Sequence, residues 1–376
     1  MTVGEGSDDM KTNRSDFIKM GAGSIALATV GCTTDPASRE ITKKIFAGLE
    51  ELPTVMPNAV VRDGALKGKC VAKYVDDCIW FLRDIAKDRP KSIFDNPYLG
   101  GYMKIHDATG LKVQFNLFYR TDFFYGMDEF TLTDMPADYK AEFKANADWI
   151  KFGLHSLQEF PDYPWINSSY EDLAKFLKMI RGEITRFAGG ELFARFALPH
   201  WVPMSKDGVR ALKDAGITMM CATGGNRYAY NGDSNTLPYG HSFRVESNRK
   251  PETALYTRVS NLLAISASAC GYNHLTMDQF RTVTGDNKYV YDPDTGMRFR
   301  GVCTAPMSCL NLQPLKDVPR DLDAVKNLPF IGYGNHEQYF YRDYLAYQPD
   351  YMEKEMLVAR TFKERGYSFV FMEEMG

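Results

Sequence analysis

The sequence predicts an α/β fold built on a parallel sheet, open or closed into a barrel, and three observations carry that prediction. Short apolar runs alternate with amphipathic segments of helical period from about residue 70 to residue 221, which is the rhythm of strand–helix–strand units. The chain has 376 residues, 44% of them hydrophobic and 13% aromatic, enough to bury one large catalytic core or two smaller ones. Acidic and histidine residues stand at the ends of the apolar runs, where a parallel sheet collects its chemistry.

Residues 71–75 read as a buried strand, followed by helices over 79–86 and 98–108, the second with apolar residues at helical spacing. A strand over 111–117, a helix over 137–147 and a strand over 150–154 come next. A long amphipathic helix over 170–188 starts after Asn167-Ser168-Ser169, whose side chains suit an N-cap. A strand over 192–198 leads to a helix over 206–214, ended by Ala215-Gly216, and to a strand over 217–221. From 222 to 309 the rhythm gives way to sequence rich in Gly, Asn, Asp, Thr and Tyr, including Gly224-Gly225-Asn226 and Asp292-Pro293-Asp294-Thr295-Gly296. This stretch is expected to form hairpins and long loops inserted on the catalytic face. Order returns with a strand over 329–333, a polar turn over 334–337, a helix over 351–363 and a closing strand over 367–372.

The first 32 residues read as an export signal. Lys11, Arg14 and Lys19 precede a run of small, mildly apolar residues, and the stretch around Arg14 resembles a degenerate twin-arginine motif with Asn13 in place of one arginine. Cys32 after Thr29-Val30-Gly31 resembles a bacterial lipoprotein cleavage box, so the expected location is the periplasm or cell envelope, with a lipid on Cys32 or, as the alternative, a plain secretory signal or an uncleaved anchor. Residues 33–68 read as a linker with an amphipathic segment, and 69–376 as the catalytic domain. A net charge of -3 without a basic stripe argues against nucleic acid and anionic membrane surfaces as partners. The other six cysteines lack the paired short spacing of a zinc knuckle, and whether Cys303 and Cys309 pair stays open.

Chemistry concentrates at Asp76-Asp77, His155, His200 and His336, each following an apolar run. Two adjacent carboxylates and imidazoles at strand tips are what a hydrolytic metal site needs, one carboxylate ligating and its neighbour accepting a proton. An acidic pair alone is more often a helix cap or solvated turn, and the ordered combination tips the balance toward a site. His106, His241 and His274 read as structural or solvent-facing, and Gly224-Gly225 lacks the spacing and lysine of a phosphate loop. Tyr163, Trp165, Trp201, Tyr228 and Tyr230 suit stacking on sugar rings, with core packing as the equal alternative.

Tyr74-Val75-Asp76-Asp77, the run from Trp149 to His155, Ala197-Leu198-Pro199-His200-Trp201, and Gly334-Asn335-His336-Glu337 occur in that order. Together they resemble the polysaccharide deacetylase superfamily, carbohydrate esterase family four, over roughly residues 69–374. The resemblance implies a distorted β/α barrel of seven or eight strands, with Asp76 as catalytic base and Asp77 as metal ligand. The family's second motif has two histidines four apart; here these positions are His155 and Glu159, and Glu159 would share a face with His155 if the turn were helical. In the third motif His200 stands in the place of a tyrosine and is the rival third ligand. The arginine that orients the base is absent there, and Arg195 lies on the same side by strand alternation. The last motif would make His336 the general acid, with Glu337 or Asp343 to orient it.

These expectations describe hydrolysis of an acyl group, most often acetyl, from a carbohydrate, assisted by a divalent ion such as zinc. A glycoside hydrolase pairing Asp77 with Glu159 or Glu337 and a catalytically silent carbohydrate-binding lipoprotein are the alternatives.

Overall fold

The computed structural model describes residues 56–121, 129–159, 164–165, 168–224, 271–302, 304, 307–344 and 347–375. The expectations for Cys32, Tyr163, Tyr228, Tyr230, His241 and Cys303 concern residues outside these.

In chain order the first half comprises β1 (Val60–Asp63), β2 (Cys70–Cys78), α1 (Trp80–Asp88), α2 (Pro97–Thr109), β3 (Val113–Phe118), α3 (Lys140–Ala145) and β4 (Ile150–Ser156). Then come α4 (Tyr170–Phe187), β5 (Phe196–Ala197), α5 (Lys206–Asp214), β6 (Met219–Cys221) and β7 (Thr223–Gly224). After residue 270 follow β8 (His274–Leu275), α6 (Met277–Thr284), β9 (Lys288–Asp292), β10 (Met297–Arg300), α7 (Val318–Val325), β11 (Phe330–His336), α8 (Tyr351–Glu364) and β12 (Ser368–Phe369).

The helices begin where local chemistry satisfies their first amides. Asn96 accepts from Tyr98 and Leu99 ahead of α2, Ser169 from Asp172 ahead of α4, and Ser205 from Gly208 ahead of α5. At the end of α2, Gly110 takes φ 80, the left-handed C-cap that costs glycine least.

The first sheet is parallel throughout, ordered β11-β2-β3-β4, and β12 pairs with Cys70 and Val71 of β2. The second is ordered β1-β9-β10-β6-β5, parallel from β10 to β5 and antiparallel from β1 to β10. One bridge, Phe152 to Phe193, links β4 to the segment before β5. Thr304 donates its amide to Gly332 of β11 across the other gap. Among the described residues no sheet closes on itself, and the architecture is α/β with largely parallel sheets.

All nine residues of β2 are buried, as a central parallel strand requires. Val71 and Val75 pack in the main core with Phe81, Tyr98, Phe115 and Phe152, whereas Ala72 and Tyr74 join Phe196, Leu198, Met219 and Phe330 in a second cluster drawn from both sheets. Asp76 follows Tyr74 on that inner side, which brings it to the carboxyl ends of the strands.

Several bounds differ from expectation. The strand expected over 192–198 shrinks to Phe196–Ala197, and Leu192 belongs to a 3-10 turn over Gly190–Leu192. The closing strand likewise shrinks to Ser368–Phe369. By contrast, β11 runs on through the residues expected to form a polar turn, since Gly334, Asn335 and His336 pair with Tyr74, Val75 and Asp76. In the stretch expected to hold inserted loops, β9 and β10 form a hairpin, and α6 is an addition that the composition does not suggest.

Candidate metal centre

Strand geometry alone would send Asp76 and Asp77 to opposite faces. The β2–β3 ladder instead gains one extra residue on β2, Val75 facing Phe115 and Cys78 facing Leu117. Asp77 sits in this bulge at φ 58. The β3–β4 ladder shifts in the same way, with Leu117 facing Leu154 and Phe118 facing Ser156, leaving His155 as the extra residue. Bulges of this kind re-aim side chains, and here two of them turn Asp77 and His155 toward one another.

His200 arrives from the loop after β5. Its amide donates to the His155 carbonyl at 3.0 Å, and the following Trp201 and Val202 take φ 60 and 71. Two successive non-glycine residues in the left-handed region need support from outside. Asn273 gives it, donating from Nδ2 to the carbonyls of Val202 (3.0 Å) and Cys221 (2.8 Å) and accepting from the Met204 amide at Oδ1 (3.1 Å).

Asp77, His155 and His200, all buried, form a group of potential ligands whose donor atoms lie within 4.8 Å of one another. His155 Nε2 is 3.0 Å from Asp77 Oδ1, His200 Nδ1 is 3.0 Å from His155 Nε2, and His200 Nδ1 is 3.4 Å from Asp77 Oδ1. Ligand atoms about 2.0–2.1 Å from a tetrahedral ion stand roughly 3.3 Å apart, so the triangle has the size a zinc ion requires. The outer nitrogens fix the tautomers: His155 Nδ1 donates to the Leu198 carbonyl at 2.8 Å and His200 Nε2 to the Glu159 carbonyl at 2.7 Å. With those protons placed outside, neutral rings aim two lone pairs at the same point as Asp77 Oδ1, an arrangement that needs a proton or a cation between them. Gln338 Nε2 donates to Asp77 Oδ2 at 2.8 Å, holding the carboxylate with Oδ1 inward. The side chains present therefore fit a divalent ion with nitrogen and oxygen preferences.

Electrostatics separate the two aspartates. Burial works against the Asp77 charge, but its bonds to His155 and His200 outweigh that effect and hold its carboxyl well below the usual range. Burial pushes the Asp76 carboxyl up, against the pull of His155 and His336. His155 is raised, because Asp76 and Asp77 overcome its burial, and His200 is lowered by burial. Asp77 is thus kept ionised beside a more basic carboxyl.

His336 faces the same centre, its Nε2 3.9 Å from Asp77 Oδ2 and its side chain partly exposed. Its Nδ1 lies 3.4 Å from Asn311 Oδ1. Glu337 does not orient it: the chain leaves β11 for a 3-10 turn at Glu337, whose carboxylate accepts from the amides of Ile79, Trp80 and Phe81. The same bonds take Glu337 out of any catalytic carboxylate pair with Asp77.

Three further expectations are corrected. Glu159 places its backbone carbonyl against His200, and its carboxylate is not in the ligand group, because the chain bends after β4 and makes no helical turn. Arg195 precedes β5 at the opposite end of the strand, exposed beside Lys151 and Glu373, and cannot orient Asp76. Asn116 occupies that role's position, donating to Asp76 Oδ1 at 2.7 Å. Trp165 is buried against Phe176 and donates its indole N–H to the His155 carbonyl, so it braces the ligand and does not present a stacking face. Trp201 is partly exposed, with its ring 5.9 Å from that of His200. Phe118, which no sequence motif singles out, walls the centre at 5.3 Å from His155 and 5.2 Å from His200.

His106 stacks on Trp149 and bonds the Leu111 carbonyl, and His274 is buried in β8; neither belongs to the ligand group. No helix among the described residues is long and apolar enough to cross a membrane. Comparison with protein-family models finds no match, and comparison with curated proteins finds none either.

Proposed function

We propose that this chain is a metal-dependent hydrolase that removes acyl groups, N- or O-acetyl, from a carbohydrate. The observation that carries the reading is the convergence of Asp77 Oδ1, His155 Nε2 and His200 Nδ1, with Asp76 adjacent and outside the ligand group. Three protein ligands with an open position are the pattern of catalytic rather than structural zinc. A bound zinc ion would supply Lewis acidity toward the acyl carbonyl and toward water.

The residues have distinct tasks in this reading. Asp76, next to the ligand Asp77 and held by Asn116, takes the proton from the attacking water. His336, partly exposed beside the centre, gives a proton to the departing amine or alcohol. Trp201 offers a ring to the sugar. Phe118 covers one side and keeps bulk water from the ligands.

The carbohydrate and acyl assignments rest on the ordered motifs of the deacetylase resemblance. So does a closed β/α barrel, with the Phe152–Phe193 bridge and the Thr304–Gly332 bond as its two seams. Export to the cell envelope with a lipid at Cys32 rests on the N-terminal sequence.

Acetate release from N-acetylated chitooligosaccharides and acetylated xylan tests the reading. Release that a chelator abolishes and zinc restores is the expected result. Glycosidic cleavage that survives chelation would replace it with the glycoside hydrolase, and tight glycan binding without metal or turnover would replace it with a binding protein.

A further inference from the structure

Asp76 is tied to a chain of two buried amides that begins at the inner cluster of the protein. Gln114 Nε2 donates both to the Phe196 carbonyl (3.1 Å) and to Asn116 Oδ1 (2.7 Å), and Asn116 Nδ2 donates to Asp76 Oδ1 (2.7 Å). An amide nitrogen has two hydrogens and its oxygen has none, and both ends of this chain are acceptors. The direction of every link is therefore determined. Gln114 Oε1 has no partner among the described residues, an orientation its own acceptor would not select and the two neighbouring acceptors impose.

Sequence neighbours make room for the relay. Gly153 of β4 lies directly against it, and a Cβ there would overlap Asn116 Oδ1 and Gln114 Nε2. Asn116 stands opposite the bulge that carries both aspartates, between the pairs Val75–Phe115 and Cys78–Leu117. It is fully buried, and Gln114 nearly so.

We infer that Asn116, backed by Gln114 and accommodated by Gly153, is the positioning residue for Asp76, holding Oδ1 so that Oδ2 faces the reacting water. The inference rests on Asp76 being the base. An amide suits the task differently from the arginine missing here. It fixes the carboxylate through one neutral hydrogen bond and adds no positive charge to weaken the base.

The test compares Asn116→Ala, Gln114→Leu, Asp76→Asn and the Asn116→Ala/Asp76→Asn double variant in zinc-loaded protein with N-acetylated chitooligosaccharide. Asn116→Ala is expected to lower kcat by about 10- to 100-fold at unchanged KM and zinc content, the usual range for a residue that orients a site group. Gln114→Leu, which leaves Asn116 in place, is expected to lower kcat less. The double variant is expected to be no slower than Asp76→Asn alone, because a positioning residue has nothing to act on once the base is gone. Additive losses would overturn the inference, as would full kcat in Asn116→Ala beside a crippled Asp76→Asn. Full turnover in Asp76→Asn would overturn the base assignment itself and the inference with it. A crystal structure of Asn116→Ala tests the same point without turnover: a rotated Asp76 carboxylate supports positioning, and an unmoved one overturns it.

Discussion

Asp77 holds a backbone conformation, φ 58, that a non-glycine residue adopts at a cost of order 1–3 kcal/mol. What that cost secures is the arrival of two consecutive carboxylates on one side of β2. Asp77→Ala or His155→Ala is expected to abolish metal content with little change in fold, because each leaves the β2 and β4 ladders intact; unchanged zinc by elemental analysis in both variants would refute the ligand assignment. Gln338→Leu is expected to weaken metal binding by about 10- to 100-fold through loss of the bond to Asp77 Oδ2, as titration against a chelator would report. Among single residues the sequence is readable where a titratable group ends an apolar run, as at Asp76, Asp77, His155, His200 and His336. It misleads at Glu159, whose spacing from His155 matters only on a helix, and at Arg195, whose alternation argument needs a longer strand than β5. Asn116 and Gln114 are hidden, because in a run of alternating residues their amides look like the solvent face of a strand.

Among the elements, α1 is started from a distance. Its own N-cap, Ile79, has no side-chain cap. The Glu337 carboxylate takes over the task, accepting from Ile79 at 2.7 Å, Trp80 at 2.9 Å and Phe81 at 2.6 Å, with Tyr341 Oη donating at 3.1 Å. A negative charge at a helix N-terminus is favoured by both the free amides and the helix dipole. Glu337→Gln is expected to destabilise the protein by about 1–3 kcal/mol, since an amide N–H₂ would face backbone donors. Urea unfolding checks this, and a midpoint unchanged from wild type would show that α1 does not depend on Glu337. No local sequence signal reveals such a cap, because its two halves lie 256 to 258 residues apart. The opposite holds for α6, where Thr276 and Gln279 form a capping box that is visible in the sequence but lies within a loop-rich composition. Strand β1 resembles linker for a different reason: all four residues are exposed, so it carries no buried apolar run.

Across the whole molecule, the helix layer is anchored to the central sheet by charge as well as packing. Lys73 of β2 meets Glu355 of α8 at 2.6 Å with both side chains fully buried, and Tyr102 of α2 and Asn335 of β11 also donate to Glu355. Burial lowers the Lys73 amine and Glu355 partly restores it. Removing one partner leaves the other charge uncompensated, so Glu355→Ala is expected to cost about 3–5 kcal/mol, whereas Lys73→Met with Glu355→Leu is expected to cost far less. Equal destabilisation by the single and double variants in thermal unfolding would show that the buried pair does not anchor the layer. The α/β class is legible because alternation of strand and helix is a local pattern. How the two sheets are joined is not, because it rests on contacts such as the Phe152–Phe193 bridge that no periodicity encodes. Everything proposed for the chemistry depends on Asp77, His155 and His200 together holding a divalent ion, which the zinc stoichiometry of the reconstituted protein reads out. About one ion per chain in wild type and Glu159→Ala, with almost none in His200→Ala, is expected. An ion lost in Glu159→Ala and kept in His200→Ala, or never bound by wild type, would refute that ligand set.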